Sequence, residues 1–330
     1  MGNCTNCCEV CSFCEYVDIP DKVLWREINK KKNKIRVWKI RRLLTLNNAS
    51  PNATQRNARG LRDNILHACV RLGIFSVVDE VVTQGATLEL PSEVYDTTPI
   101  QHAIQHGQRQ MIRFMVEMNL DMSFLHNGET TLTWLVQQKD YWHVLPEILT
   151  SVGKSEKAER LCGTNEATLN ALQVCIQYDL TVPWNILHKY GYPIDATTSR
   201  GSPSLHFAVE IGYDGAVERL LEEGASIGGR DQMRRTPLLV AVIVRNANAV
   251  NILIEYIWTL QEGSKNARLN DVDRAGNSAV HYGTVHSRGG ILSLLLDAGC
   301  DPDAVNSDML SPIHIAASEG NAPVCDMLIE

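Results

Sequence analysis

Apolar residues fall in short runs with helical spacing, and the runs come in pairs. In Ala216-Val217-Glu218-Arg219-Leu220-Leu221 the apolar residues recur at three- and four-residue steps, which predicts the apolar face of a helix. Gly224 stands where that helix should end. The stretch after it, Ala225-Ser226-Ile227-Gly228-Gly229-Arg230-Asp231, is too rich in glycine and polar residues to continue a helix. It predicts an extended excursion with a turn. The other run of each pair opens on a tetrapeptide: Asn64-Ile65-Leu66-His67, Thr98-Pro99-Ile100-Gln101, Pro203-Ser204-Leu205-His206, Thr236-Pro237-Leu238-Leu239, Ser278-Ala279-Val280-His281 and Ser311-Pro312-Ile313-His314. Thr or Ser in the first slot caps a helix through its hydroxyl. Pro in the second suits the first helical position, where its missing N–H removes nothing. The third slot turns an aliphatic side chain to the neighbouring helix. A small residue two positions after the fourth lets helices approach closely. Gly107, Gly212 and Gly320 suit left-handed helix stops. Each unit therefore reads helix, turn, helix, hairpin-like loop, with stacked units sharing one core.

With the fourth residue as anchor, the steps are 34 from 67 to 101, 33 from 206 to 239, 42 from 239 to 281 and 33 from 281 to 314. The long step implies an insertion, Thr259 to Ala267, whose polar composition predicts an exposed loop. The interval from 101 to 206 has room for two weaker repeats, anchored at Thr133 and Asn170. A fixed period of this length decides the architecture before any single residue is interpreted. The stretch 203–225 shows His206, Ala208, Gly212, Val217, Leu220-Leu221 and Gly224-Ala225, and 66–86 shows Leu66-His67, Gly73, Val77-Val78, Val81-Val82 and Gly85-Ala86. Residues 280–301 add Val280-His281, Leu295-Leu296, Gly299 and Asp301. On these residues the chain resembles the ankyrin repeat family. The resemblance implies an all-α solenoid of stacked helix-turn-helix units with hairpin-like loops, about eight repeats over residues 61–330. It is poorest in 128–200, where Leu135, Lys139, Leu172 and Ile176 stand where the family has small residues.

Composition and charge refine this picture. The chain has 330 residues, 44% hydrophobic but only 6% aromatic, so the core should be built from Leu, Ile, Val and Ala. It has no apolar run of eighteen residues and no N-terminal stretch that reads as a signal peptide. The expected location is the cytoplasm, with Cys69, Cys162, Cys175, Cys300 and Cys325 as thiols and the sequons at Asn3, Asn48 and Asn52 unmodified. Residues 1–62 carry a net charge of +8 and residues 63–330 one of −15. The repeat block should not bind nucleic acid.

Three regions follow: a Cys-rich tail at 1–20, a basic lead-in helix or linker at 21–60, and the repeats at 61–330. Between Lys22 and Arg42 lie ten Lys or Arg against Glu27 alone. Val23, Leu24, Ile28, Ile35, Trp38 and Leu46 fit one side of a helix, which reads as a cap on the first repeat, as a helix on an anionic membrane, or as a calmodulin or nucleic-acid contact. The tail offers Gly2 for myristoylation and Cys4, Cys7 and Cys8 for palmitoylation, although Asn6 stands where the lipidation motif has Ser or Thr. Two anchors and a basic patch would hold residues 1–48 at a membrane surface. Metal binding by Cys4-x-x-Cys7 and Cys11-x-x-Cys14 is the rival, against which the three-residue separation of the pairs weighs. An inert tail is the third reading.

No catalytic signature emerges: there is no Ser-His-Asp pattern, phosphate-binding loop or dinucleotide motif. His67, His206, His281 and His314 occupy the anchor slot, where the ring is expected to bond a neighbouring loop's backbone. His102 and His106, four apart, read as a plain surface pair, since a helical metal site would need more ligands. No metal and no cofactor are expected. The chain therefore reads as a binding protein whose partner is another protein, contacted by loop tips and by the exposed side of the first helices. Candidate contacts are Arg200, Arg230, Arg234, Arg235 and Arg274 on loops, and Gln105, His106, Trp134, Glu210, Ile211 and Glu319 on or beside first helices. The last repeat stops near Glu330 without the family's Gly-Ala, which raises the alternative of a regulatory segment within a larger enzyme or channel.

Overall fold

The computed structural model describes residues 20–28, 30, 36–46, 49–56, 61–87, 90–118, 125–126, 129–151, 169–198, 201–286 and 290–329. Gly2, Cys4, Cys7, Cys8 and Arg200 lie outside them. The chain divides into two compact units, one of residues 1–127 with 143–153, the other of residues 128–142 with 154–330.

The first unit opens with α1 (Pro20–Ile28) and α2 (Val37–Thr45), separated at Arg36 by extended backbone. The apolar side of the basic segment differs from the single face expected. Leu24, Ile28, Ile40, Leu43 and Leu44 are buried, whereas Trp38 and Leu46 are exposed. Two helices with extended backbone at Arg36 before the second, rather than one, bury Ile40, Leu43 and Leu44, which one continuous helical wheel could not anticipate. A short hairpin, β1 (Thr54–Arg56) with β2 (Arg62–Asn64), precedes α3 (Ile65–Leu72) and α4 (Phe75–Thr83). The next pair is α5 (Pro99–Gln105) and α6 (Arg109–Glu117). Helix α1 packs on α3 and α2 on α4, as one repeat packs on the next. The buried Glu27 carboxylate holds Lys39 of α2 at 3.2 Å, and the Arg41 guanidinium meets Glu80 of α4 at 2.6 Å. This unit also contains α8 (Leu145–Ser151), packed on α6.

The second unit begins with α7 (Thr131–Gln137) and continues α9 (Ala171–Gln177), α10 (Thr181–Lys189), α11 (Ser204–Ile211), α12 (Asp214–Glu222), α13 (Pro237–Ile243), α14 (Ala247–Trp258), α15 (Glu262–Leu269), α16 (Ala279–His286), α17 (Gly290–Asp297), α18 (Pro312–Ser318) and α19 (Ala322–Ile329). The first helices form one row, α7 on α9, α9 on α11, α11 on α13, α13 on α16 and α16 on α18. All but α18 bury the third-slot residue, Ile313 being half-buried there, and all but α7 bury a small residue two positions after the anchor.

The tetrapeptides act as their chemistry predicts. Thr98 caps α5 by accepting from the Gln101 N–H, and the Gln101 side chain accepts from the Thr98 N–H in return. Thr130 and Thr236 accept from the N–H three residues on. At Ser278 and Ser311 the backbone N–H donates to Nδ1 of the anchor histidine, 3.2 Å away in each case. Pro203 has no N–H to donate, and Nδ1 of His206 is correspondingly a buried nitrogen without a partner.

Two expectations are corrected. The anchor of the fourth repeat is Gln173 rather than Asn170. Asn170 is the cap, accepting from the Gln173 N–H at 3.0 Å while the Gln173 side chain accepts in return. Asparagine substitutes chemically for the usual Thr, which displaced the register by three residues. In the corrected register Cys175 fills the small slot, alongside Cys69, Ala103, Ala208, Ala241, Gly283 and Ala316, all of them buried. Leu135 is a bulky exception in that slot and is also buried. The insertion is not a loop: α14 runs to Trp258, and α15 spans Glu262–Leu269 and packs on α14. Leu269 is buried beneath it. A helix with one anchoring apolar residue and polar remaining faces has the composition of a loop.

Candidate partner-binding surfaces

The two units present different first-helix faces. In the first unit, Arg71, Gln105 and His106 lie near the ends of α3 and α5, and all are exposed. Beside them is a cluster of rings. Tyr95 stacks on His67 with centroids 5.0 Å apart and planes 10° apart. His102 lies 4.4 Å from His67 and 4.2 Å from His106. The Arg71 guanidinium donates to the Tyr95 hydroxyl at 2.5 Å and lies 3.6 Å from Asp63. His102 is 98% buried, so the pair with His106 is not a surface pair; only His106 faces solvent. Burial, followed by the charge of His102 and then Arg71, depresses the His67 pKa to about 3. Burial, with His106 next, brings His102 to about 4. Both rings are neutral at pH 7. Burial raises the Asp63 carboxyl, which accepts a hydrogen bond from Ser92 at 2.8 Å. A groove of about 510 Å³ runs past Arg71, Phe75, Gly107, Arg109 and Met111. Among the described residues no group of three or more His, Cys, Asp or Glu could hold a metal ion.

In four successive repeats of the second unit one of the corresponding positions is apolar and exposed. Tyr178, Ile211 and Val244 stand five residues after their anchors and Val285 four after its own, one on each of four successive repeats. They are 57%, 45%, 41% and 42% exposed. A Tyr or aliphatic side chain left open in four successive repeats of a packed row is not required by the core. Trp134 on α7 is half-buried and stacks on Tyr141 with centroids 6.1 Å apart. Glu210 and Glu319 are exposed.

The loop arginines separate into two kinds. Arg230 pairs with Asp271 at 2.6 Å and donates to the carbonyls of Arg234 and Val272, bracing one hairpin against the next. Arg235 pairs with Asp231 at 2.6 Å. These two are structural. Arg234 and Arg274 are exposed and meet no carboxylate among the described residues. Two of the four anchor histidines behave as expected: Nε2 of His206 bonds the Arg235 carbonyl at 2.8 Å and Nε2 of His281 the Leu310 carbonyl at 3.1 Å, whereas His314 is exposed and bonds Ser311 of its own repeat. His67 departs, bonding the Thr97 hydroxyl at 3.2 Å.

Left-handed backbone recurs at two slots. Five residues before the anchor, at the hairpin tip, stand Asp96, Gly201, Arg234, Gly276 and Met309, with φ from +51° to +78°. Six after the anchor stand Gly73, Gly107, Asp179, Gly212, Arg245 and Gly320, with φ from +52° to +74°. Gly suits both slots and Asp tolerates them, whereas a long side chain there costs roughly 1–2 kcal/mol. Arg234, Arg245 and Met309 are the departures, all in the second unit.

Sequence reasoning named Ile211, Arg234 and Arg274, which are exposed, and did not name the exposed Tyr178, Val244, Val285 and Met309. Spacing from the anchor would have found them, Tyr178 only once Gln173 is the anchor.

Helix pairs closed by left-handed stops, stacked in register and carrying hairpin tips, define a helical repeat protein. A family described as ankyrin repeats matches in three copies, over residues 172–266 and 205–306. The chain is 28% identical over 145 residues to putative ankyrin repeat protein FPV223 of fowlpox virus (strain NVSL), covering 44% of this chain and 95% of that one. It is 22% identical over 232 residues to a transient receptor potential cation channel subfamily A member 1 homolog of Caenorhabditis elegans, covering 70% of this chain and 18% of the channel. It is 30% identical over 134 residues to neurogenic locus notch homolog protein 1 of Danio rerio, 41% of this chain but 5% of that protein. The chain carries ankyrin repeats, and it spans only a small part of the latter two relatives.

Proposed function

We propose that this chain is a non-catalytic scaffold or adaptor that binds another protein along the first-helix face and hairpin tips of its second unit. The observation that carries this reading is the row Tyr178, Ile211, Val244 and Val285. Four exposed apolar side chains repeat with the register of the stack. Aromatic and aliphatic groups desolvated at the centre of an interface supply most of its energy. Trp134, Glu210 and Glu319 would bound the row, and Gln105 and His106 would serve a separate, more polar contact. The partner is not nucleic acid, because the net charge of −15 over residues 63–330 repels phosphate.

The test is affinity capture with the full chain and with an Ile211→Asp/Val244→Asp variant, each checked by far-ultraviolet circular dichroism. Proteins held by the wild type and lost from a folded variant support the reading. Capture that is identical on both removes it.

A second reading is favoured by the alignment that covers 70% of this chain but 18% of a channel: the repeats are the regulatory segment of a larger enzyme or channel. Sequencing the full transcript decides this. Tethering through Gly2 and Cys4, Cys7 and Cys8, with cytoplasmic location otherwise, stays a proposal. A carrier fused to residues 1–48 should leave membranes on Gly2→Ala. Among the described residues no helix is long and apolar enough to cross a bilayer.

A further inference from the structure

We infer that the hairpin tips of the second unit form a docking strip for an acidic protein segment carrying apolar side chains. The inference rests on the protein-binding reading and specifies the chemistry of the partner. Three successive tips are joined edge to edge. The Arg274 N–H donates to the Met233 carbonyl at 3.1 Å, and the Ser307 N–H to the Ala275 carbonyl at 3.0 Å. These bonds set Met233-Arg234 beside Arg274, and Ala275 beside the tip that holds Met309. Along this edge Met233, Val305 and Met309 are 55%, 54% and 73% exposed. Methionine and arginine are enriched at protein interfaces, where exposed lysine and glutamate are depleted.

The backbone supplies an independent observation. The tip slot has positive φ, and Gly201 and Gly276 fill it without strain, while Arg234 and Met309 fill it at φ +59°. Neither side chain is buried, so neither is repaid by packing within this chain. Strained positions of this kind gather where a protein holds a ligand.

Charge sets the partner's sign. Asp231 and Asp271 are neutralised by Arg235 and Arg230. The Asp273 carboxylate accepts from the Tyr282 hydroxyl at 2.6 Å and from the N–H groups of Ala275 and Asn277. Among the described residues Arg234 and Arg274 meet no carboxylate and stand on adjacent tips, while Asp308, exposed on the third, limits the basic stretch to the first two. Carboxylates of a partner fit Arg234 and Arg274, and its apolar side chains fit Met233, Val305 and Met309. An anionic membrane is disfavoured by the net negative charge of the repeats.

The test is selection of phage-displayed random 12-residue peptides on the full chain. The enriched peptides are then titrated against Arg234→Gly/Arg274→Ala, Met309→Gly and Ile211→Asp/Val244→Asp variants. Arg234→Gly and Met309→Gly remove strain, so their melting temperatures should hold or rise while binding falls, which separates docking from folding. The inference expects peptides with more Asp and Glu than Lys and Arg, interspersed with Leu, Ile or Phe. These should bind the Arg234→Gly/Arg274→Ala variant at least tenfold more weakly and should weaken with added salt. Neutral or basic peptides, or equal affinity for that variant, overturn it. Peptides sensitive to Ile211→Asp/Val244→Asp but not to the tip variants overturn this inference and leave the broader reading standing. An absence of enriched peptides sinks both. Sedimentation with phosphatidylserine vesicles that depends on Arg234 and Arg274 would replace the protein segment by a lipid surface.

Discussion

The two units share one helical grammar and expose different chemistry on their first helices. Near the ends of the first helices, the first unit offers Arg71, Gln105 and His106 around a buried core of histidines. The second offers Tyr178, Ile211, Val244 and Val285. The slots that make the fold are similarly occupied in both: an Asn, Thr or Ser cap, a small buried residue, and a left-handed stop. The fold constrains those slots and leaves positions four and five after the anchor free. Chemistry at these free positions can therefore differ between the units without cost to the fold.

The largest expected effect tests the core common to both. Leu221→Ala on α12, a residue 3% exposed, should destabilise by about 2–4 kcal/mol. Ile211→Ala, on the open face, should stay within about 0.5 kcal/mol. Chemical denaturation of the two variants checks the contrast, and equal losses would mean that Ile211 belongs to the core.

Acid should separate the units next. His67 and His102 have folded pKa values of about 3 and about 4, below the ordinary value near 6.5. Above pH 6.5 both states are neutral and no penalty exists. As pH falls below 6.5 the unfolded chain takes up the protons first, so stability declines until the folded values are reached. Protonation of Asp63, whose pKa burial raises, works the other way. Between pH 7 and 5 the first unit should lose on the order of 2 kcal/mol. In the second unit burial also lowers His206, but the Arg235 carbonyl and Asp231 offset part of that. Hydrogen exchange should therefore accelerate more in α3 and α5 than in α11 and α13. Equal acceleration would break the comparison.

Binding comes third. Ile211→Asp/Val244→Asp should weaken partner affinity at least tenfold, about 1.4 kcal/mol. Gln105→Ala/His106→Ala should leave it unchanged, by titration with the captured partner. A loss with the second pair would assign the contact to the first unit.

The smallest effects concern left-handed backbone. Gly224→Val has open space around its Cβ but φ +93°, so strain alone should cost about 1–2 kcal/mol. Arg245→Gly at φ +59° should be neutral or stabilising by up to about 1 kcal/mol. Thermal melts check both signs.

Much of the fold was legible, since caps, prolines, aliphatic slots and glycines act within a few residues of themselves. The register at Asn170 was not, because Asn and Thr cap alike, and only the hydrogen bonds of Gln173 with Asn170 resolve which residue is the anchor. Helix α15 was illegible because a mostly solvated helix and a loop share a polar composition. Of the candidate contacts, Ile211, Arg234 and Arg274 sit where spacing placed them, on open surface. Arg230 and Arg235 have the same chemistry and are consumed by Asp271 and Asp231.

The sequence by itself determined the repeat, because a 33-residue period of local signals needs only neighbours to satisfy it. It also determined the separation of basic and acidic segments. Tertiary structure alone decided which arginines remain free, which histidines are buried and neutral, and which apolar residues stay open. Several of those outcomes depend on residues about thirty to forty positions away that packing brings within a few ångströms, as Asp271 meets Arg230, although Arg235 is held by Asp231 only four residues earlier.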